Sequence, residues 1–300
     1  MVRIALIATA LSLLFGCVGS PSPLAPALRG SIGVPHRGVI TDARELAKSG
    51  DGYRLLRDTS VRWGHPRLVA AIEHAAREVA VARPGGAPLM VADLSRRAGG
   101  AAEGHRSHRS GRDADLLLFA TTPDGRSVPT PGFVRFGPDG LAETRGARGK
   151  SFLRIDLERQ WLLVKALVAS RDAHVQWIFV AHWLEAQIIE YARARGEDPE
   201  LVWHAETVLL QPRDSAAHDD HVHVRIACTA EEAVAGCEGG GPRWPWLDPL
   251  PELASVRDDE LAHALVGDLL ESSASASVEV APTGRASAPS GPSPAAPASP

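Results

Sequence analysis

Apolar positions change their period several times between residues 31 and 240 of this chain. Leu68, Val69, Ile72, Ala75, Ala76 and Val79 recur at helical spacing, and "PLMVADLS" from Pro88 to Ser95 then reads as a strand. "LLLFA", Leu116 to Ala120, is a short, wholly apolar strand entered from Asp113 and Asp115. Leu157, Trp161, Val164, Leu167 and Val168 predict a second helix, and "VQWIFVA" from Val175 another buried strand. Trp183, Ile188, Ile189 and Tyr191 predict a third helix that ends at Gly196, and "HVHVRIA" is the last strand. Helices and strands mixed without a regular alternation predict an α+β fold, with a small, mostly antiparallel sheet and flanking helices.

The last strand carries the first hint of chemistry. Side chains alternate along a strand, so His221 and His223 share one face while Val222 and Val224 occupy the other. A second window, "GHRSHRSGRDADLLLF" at Gly104 to Phe119, holds His105, His108 and Asp115. With His218, five of the 12 histidines fall in these two windows. A catalytic zinc site takes three protein ligands from nitrogen and oxygen donors and leaves a fourth position open. Neutral imidazoles and a carboxylate clustered at the mouth of a buried strand match that demand. Gly111, between His108 and Asp115, suits a chain that must turn so that both side chains converge.

These two windows closely resemble the penicillin-insensitive murein endopeptidases, a family of zinc peptidases related to D-Ala-D-Ala carboxypeptidases and lysostaphin-like endopeptidases. "SIGVPHRG" at Ser31, "RWGHPRLV" at Arg62, "LERQWLLVKAL" at Leu157 and "VQWIFVA" at Val175 extend the resemblance over residues 31 to 240. It implies Zn²⁺ as cofactor, with His108, Asp115 and His223 as ligands and His105 as a weaker ligand or a group behind them. It implies His221 as general base or transition-state stabiliser, with His218 assisting. Asp113 is expected to stay solvated or to pair with Arg109 or Arg112. The implied substrate is peptidoglycan, cut at its D-alanyl-diaminopimelyl cross-bridge. No HExxH occurs, so the glutamate base of that peptidase class is missing. Ser-x-x-Lys is absent too: Glu45, Ala147 and Leu162 stand three before the three lysines, so β-lactams have no serine of that motif to acylate.

The two ends read differently. Met1-Val2-Arg3, an apolar run from Ile4 to Phe15 and then Gly16-Cys17 describe a secretory signal over residues 1–17. Leu14-Phe15-Gly16-Cys17 resembles a bacterial lipobox, with lipidation at Cys17, although Phe15 departs from that pattern; ordinary cleavage near Gly19-Ser20 is the alternative. Residues 18–30 form a Pro-rich tether, residues 31–240 the zinc peptidase domain and residues 241–271 an extension. That extension carries an amphipathic segment, Val256 to Leu270, ahead of an Ala/Ser/Pro tail over 272–300 that is expected to be disordered. Cys228 and Cys237 are expected to close a disulfide in an oxidising compartment. Together these features predict a periplasmic protein, touching a membrane only through a lipid anchor, to the outer membrane. A net charge of -4 argues against nucleic acid as a partner. Two other functions fit the same residues: a D,D-carboxypeptidase that trims terminal D-Ala, and a non-catalytic wall-binding lipoprotein.

Overall fold

A computed structural model describes residues 29–146, 149–213, 215–239, 241–247 and 249 of the 300-residue chain. The signal segment with Cys17, the amphipathic segment at 256–270 and the tail lie outside the described residues. The fold is α+β, and its centre is a seven-stranded sheet. In chain order its strands are β1 (Ser49–Gly50), β2 (Tyr53–Leu55), β3 (Leu89–Val91), β4 (Asp113–Leu117), β5 (Val175–Phe179), β6 (Leu209–Leu210) and β7 (His221–Ile226). Across the sheet they run β6-β5-β7-β4-β3-β2-β1. Only the β5/β6 and β2/β3 pairs are parallel.

The two long central strands, β7 and β4, have faces of opposite character. Ala114 and Leu116 of β4 and Val222 and Val224 of β7 are fully buried in the main apolar core. Helices α1 (Pro66–Ala82), α2 (Leu157–Ala169), α3 (His182–Ala194) and α4 (Pro199–Val208) contribute to that core through Leu68, Ile72, Trp161, Val164, Ile188 and Val202. Each such aliphatic side chain removed from water contributes about 1.5–3 kcal/mol, so this face fixes the sheet in place. The odd-numbered positions Asp113, Asp115, His221, His223 and Arg225 then fall on the opposite face by strand periodicity alone.

Some elements differ from the sequence expectation. "LLLFA" is not one strand: β4 begins earlier, at Asp113, and ends at Leu117, and the chain joins a second, four-stranded sheet at Ala120. Gln160 of α2 marks the break, its side-chain oxygen accepting from the Phe119 N–H. That second sheet is built mainly from the hairpin Leu141–Gly146 and Gly149–Ile155, whose outer face is mostly polar and carries the exposed Phe152. "PLMVADLS" is a strand only over Leu89–Val91.

The start of α1 is clamped to the chain beyond β7. His65 caps α1 through Nδ1, which accepts from the Arg67 N–H, so its Nε2–H donates to Glu232 at 3.0 Å. Arg67 donates to both Glu232 oxygens at 2.9 and 2.5 Å, and to the carbonyls of Ala173 and Ala227. Glu232 belongs to α5 (Ala230–Val234), whose capping box with Thr229 it completes. The expected disulfide, Cys228–Cys237, closes over this helix.

Burial alone would raise the Glu232 carboxyl, but its bonds to His65 and Arg67 outweigh that and hold it well below the usual carboxylate range. A depressed folded value means stability that is present above the unfolded value of 4.5 and is lost as pH falls below it. Glu232→Gln is therefore expected to cost about 3 kcal/mol at neutral pH, by analogy with breaking other buried ion pairs. The difference from wild type should shrink as the medium is taken below about pH 4. Urea unfolding midpoints across that range measure both; a pH-independent difference would exclude this carboxylate as the cause.

Candidate metal centre

Antiparallel pairing of β4 with β7 sets Asp115 opposite His223 and Asp113 opposite Arg225. The loop before β4 brings His105 and His108 over the same face. His108 holds a left-handed backbone, φ 62°, pinned on both sides. Its N–H donates to Asp113 at 3.2 Å, and its Nδ1–H to the Leu94 carbonyl at 2.6 Å. Gly111 turns the chain into β4 at φ +75°, where a Cβ would lie 2.4 Å from Ile40. Only glycine meets both conditions, in agreement with the turn expected there.

The result is a convergence of lone pairs. With its proton on Nδ1, His108 turns a bare Nε2 toward Asp115 Oδ1, 3.2 Å away. His223 bonds Asp113 through Nε2 at 2.9 Å and turns Nδ1 to the same Asp115 oxygen at 3.1 Å. Both His108 Nε2 and Asp115 Oδ1 are buried without a hydrogen-bond partner. Buried acceptors facing one another cost free energy unless something positive lies between them. Two imidazole nitrogens and one carboxylate oxygen are a donor set that suits a divalent cation, and the residues fit one.

The remaining expected site residues are also brought together. His221 points Nε2 at Asp115 Oδ1, 3.4 Å away, and is held from behind by Asp220 at 2.5 Å from Nδ1. His218, with φ 55°, donates from Nδ1 to the Ala216 carbonyl at 2.8 Å, and its ring centre lies 4.9 Å from that of His221. His105 stands beside the centre, with Nδ1 3.6 Å from Asp115 Oδ2 and Nε2 3.2 Å from Asp93. Arg57 pairs with the same Asp93 carboxylate.

Electrostatics follow from these contacts. Burial opposes ionisation of Asp115, but His108, His221 and His223 overrule it and hold the carboxyl well below its usual range. Burial likewise lowers His221, yet the nearby carboxylates of Asp115 and Asp220 win and push it up to about 9. His223 is raised for the same reason by Asp113 and Asp115. At His218 burial and the neighbouring rings of His221 and His223 outweigh Asp115 and the bond to the Ala216 carbonyl and push it down to about 4.

One expectation is overturned. Asp113 is fully buried, not solvated, and its partner is Arg225 at 2.6 Å rather than Arg109 or Arg112. It shares the strand parity of Asp115, so the pairing that buries one buries the other. Asp113 orients His223, and with Asp220, Asp93 and Arg57 it is a site residue that sequence reasoning missed. The i, i+2 spacing of Asp113 and Asp115 was a usable signal, as was the position of Asp220 next to His221. For Asp93 and Arg57, which come from other parts of the chain, there was none.

Comparison with known proteins places the chain in a family. The family model described as penicillin-insensitive murein endopeptidase matches residues 31–242, and the chain belongs to that family. Among curated relatives, the penicillin-insensitive murein endopeptidase of Haemophilus influenzae is 29% identical over 77% of this chain and 78% of its own length. That of Klebsiella pneumoniae subsp. pneumoniae is 29% identical over 72% of each chain, and that of Pectobacterium atrosepticum 30% identical over 67% and 66%.

Partners that orient a ligating histidine typically change metal affinity about 10–100-fold when removed. Asp113→Asn is therefore expected to weaken binding of an added divalent ion to that extent. Competition with a chromophoric chelator measures it. Unchanged affinity in a folded variant would deny Asp113 the role of holding His223.

Proposed function

We propose that this protein is a zinc endopeptidase that hydrolyses D-alanyl-diaminopimelyl cross-links of peptidoglycan, exported to the periplasm and anchored there through Cys17. The observation that carries this reading is the buried, unpartnered pair His108 Nε2 and Asp115 Oδ1, with His223 Nδ1 facing the same oxygen. Membership of the murein endopeptidase family supports the substrate, and the imidazole and carboxylate donors suit zinc.

His108, Asp115 and His223 would hold the ion. When bound, it supplies Lewis acidity toward the scissile carbonyl and the attacking water. Protons are the task of the two other histidines. His218 spends Nδ1–H on the Ala216 carbonyl, which leaves Nε2 as an acceptor for a proton from water. His221 lies between the carboxylates of Asp115 and Asp220 and so can carry protons on both nitrogens, which suits delivery to the leaving amine. Two like groups with opposed environments divide the work of base and acid. This division departs from the sequence reading, in which His221 is the general base or transition-state stabiliser and His218 assists.

Cross-linked muropeptide dimers incubated with the mature protein should give monomers without free D-Ala, and a chelator should stop the reaction. His221→Ala and His218→Ala should each keep the bound metal while lowering kcat by about 10²–10⁴. Mass spectrometry of the products and metal analysis of the variants measure this. Release of D-Ala from pentapeptide with dimers left intact would instead make the protein a carboxypeptidase, and metal-loaded protein that cuts neither would make it a binding protein.

A further inference from the structure

Away from the His/Asp centre the structure holds a cleft of about 710 Å³. It lies between the C-terminal end of α2, the turn Arg171–Ala173, the first half of α4 and the segment Pro245–Leu247. Trp203 of α4 lies at this cleft and is 49% exposed, an uncommon position for so large an apolar ring. Trp246 packs edge-on to Trp203 at 5.2 Å and lies over His204 at 4.2 Å.

Polar groups interleave with the rings. Arg171, Asp172 and Glu200 line the cleft, and all three are exposed. Among the described residues, none of their side chains makes a hydrogen bond or ion pair with another residue, so donors and acceptors remain available to a ligand. Flat aromatic faces flanked by carboxylate and guanidinium groups are what a pyranose needs: its C–H face packs on a ring while its hydroxyls bond the polar rim. Carboxylates outnumber cations here, which disfavours an anionic polymer.

A run of ring contacts leads from the cleft toward the centre. From Trp246 the rings pass to Trp244 at 5.7 Å, Trp177 at 5.0 Å and Phe179 at 5.9 Å. Phe179 meets His223 at 5.4 Å. Trp177 and Phe179 lie on β5, on the face that carries the histidines, and both are partly buried. The cleft thus lies at one end of a run of packed rings whose other end is at the His/Asp centre.

We propose that the Trp203/Trp246 cleft binds saccharide, holding the glycan strand of peptidoglycan while an attached stem peptide reaches the His/Asp centre. The choice of glycan rests on the function proposed above; the presence of a sugar-binding cleft does not. Oligomers of N-acetylglucosamine, the uncharged sugar of that glycan's repeat, are the probe, titrated against the mature protein with tryptophan fluorescence as readout. Wild type should bind, Trp203→Ala should weaken binding about tenfold or more, and Glu200→Gln, which keeps the ring, should weaken it severalfold. Matching melting temperatures establish that the variants fold. No binding by wild type, or binding by both variants equal to wild type, would overturn the proposal, as would binding of sugar-free stem peptides alone. A fluorescence change on removing residues 251–300, with no response to the oligomers in either form, would assign the cleft to the chain's own C-terminal segment and overturn it too. Cleavage of sugar-free peptide dimers by wild type is scored separately, so loss of the cleft and loss of the peptidase reading remain distinguishable.

Discussion

Everything at the centre depends on the register between β4 and β7. Asp115 faces His223 and Asp113 faces Arg225 because the two strands pair at those residues. A slip of one residue in β4 would turn Ala114 and Leu116 toward the histidines and drive both aspartates into the apolar core. That alternative is closed by the other face: Ala114, Leu116, Val222 and Val224 are fully buried against the helices and cannot exchange places with charged groups. The hydrophobic layer therefore does more than stabilise the sheet. It decides which atoms meet on the far side, and the chemistry inherits a geometry set by packing.

Burying two carboxylates so close together would be prohibitive without compensation. Their partners are divided with little overlap. Asp113 takes Arg225, the His223 Nε2–H and the His108 backbone N–H. Asp115 is left facing His108 Nε2 and His223 Nδ1, with His221 Nε2 beside the same oxygen. One aspartate is thereby satisfied within the protein, and the other keeps charge for something from outside. This division explains why residues only two apart on one strand stand differently: one carboxylate orients His223 and the other faces the candidate metal site. Arg225 completes the separation, because it neutralises Asp113 and leaves the negative potential at the centre to Asp115.

How much of this was readable from sequence follows from which signals are local. Alternation in "HVHVRI" is local, and it correctly places His221 and His223 on one face. Helical periodicity correctly locates α1, α2 and α3, because each has a continuous apolar stripe. The hairpin at 141–155 was missed because its strands are mostly exposed and carry no apolar alternation. Helix α4 was missed although Asp198 and Pro199 form a good start, its ten residues being short for a periodic signal. At the centre the histidine windows pointed to the cluster that could hold a metal and to its nearest carboxylate. The Asp113–Arg225 pair spans 112 residues and the Arg57–Asp93 pair 36, so both are products of tertiary packing. The error over Asp113 was one of parity: reading the strand from Leu116 left both aspartates outside it, whereas starting it at Asp113 buries them together.

Local strain gives the last step. His108 and His218 are two of the three described non-glycine residues with positive φ, and both belong to the centre. Such a backbone costs of order 1–3 kcal/mol per residue and persists only where surrounding contacts over-determine it. For His108 those contacts are the Leu94 carbonyl and Asp113; for His218, the Ala216 carbonyl. Each fixes which ring nitrogen carries the proton as well as where the ring stands. A relaxed backbone at either residue would free the ring to turn, and a turned ring presents an N–H where a lone pair is needed. The strain is thus coupled to the tautomer, and stability given up in two loops is recovered as lone pairs already aimed before any ligand arrives.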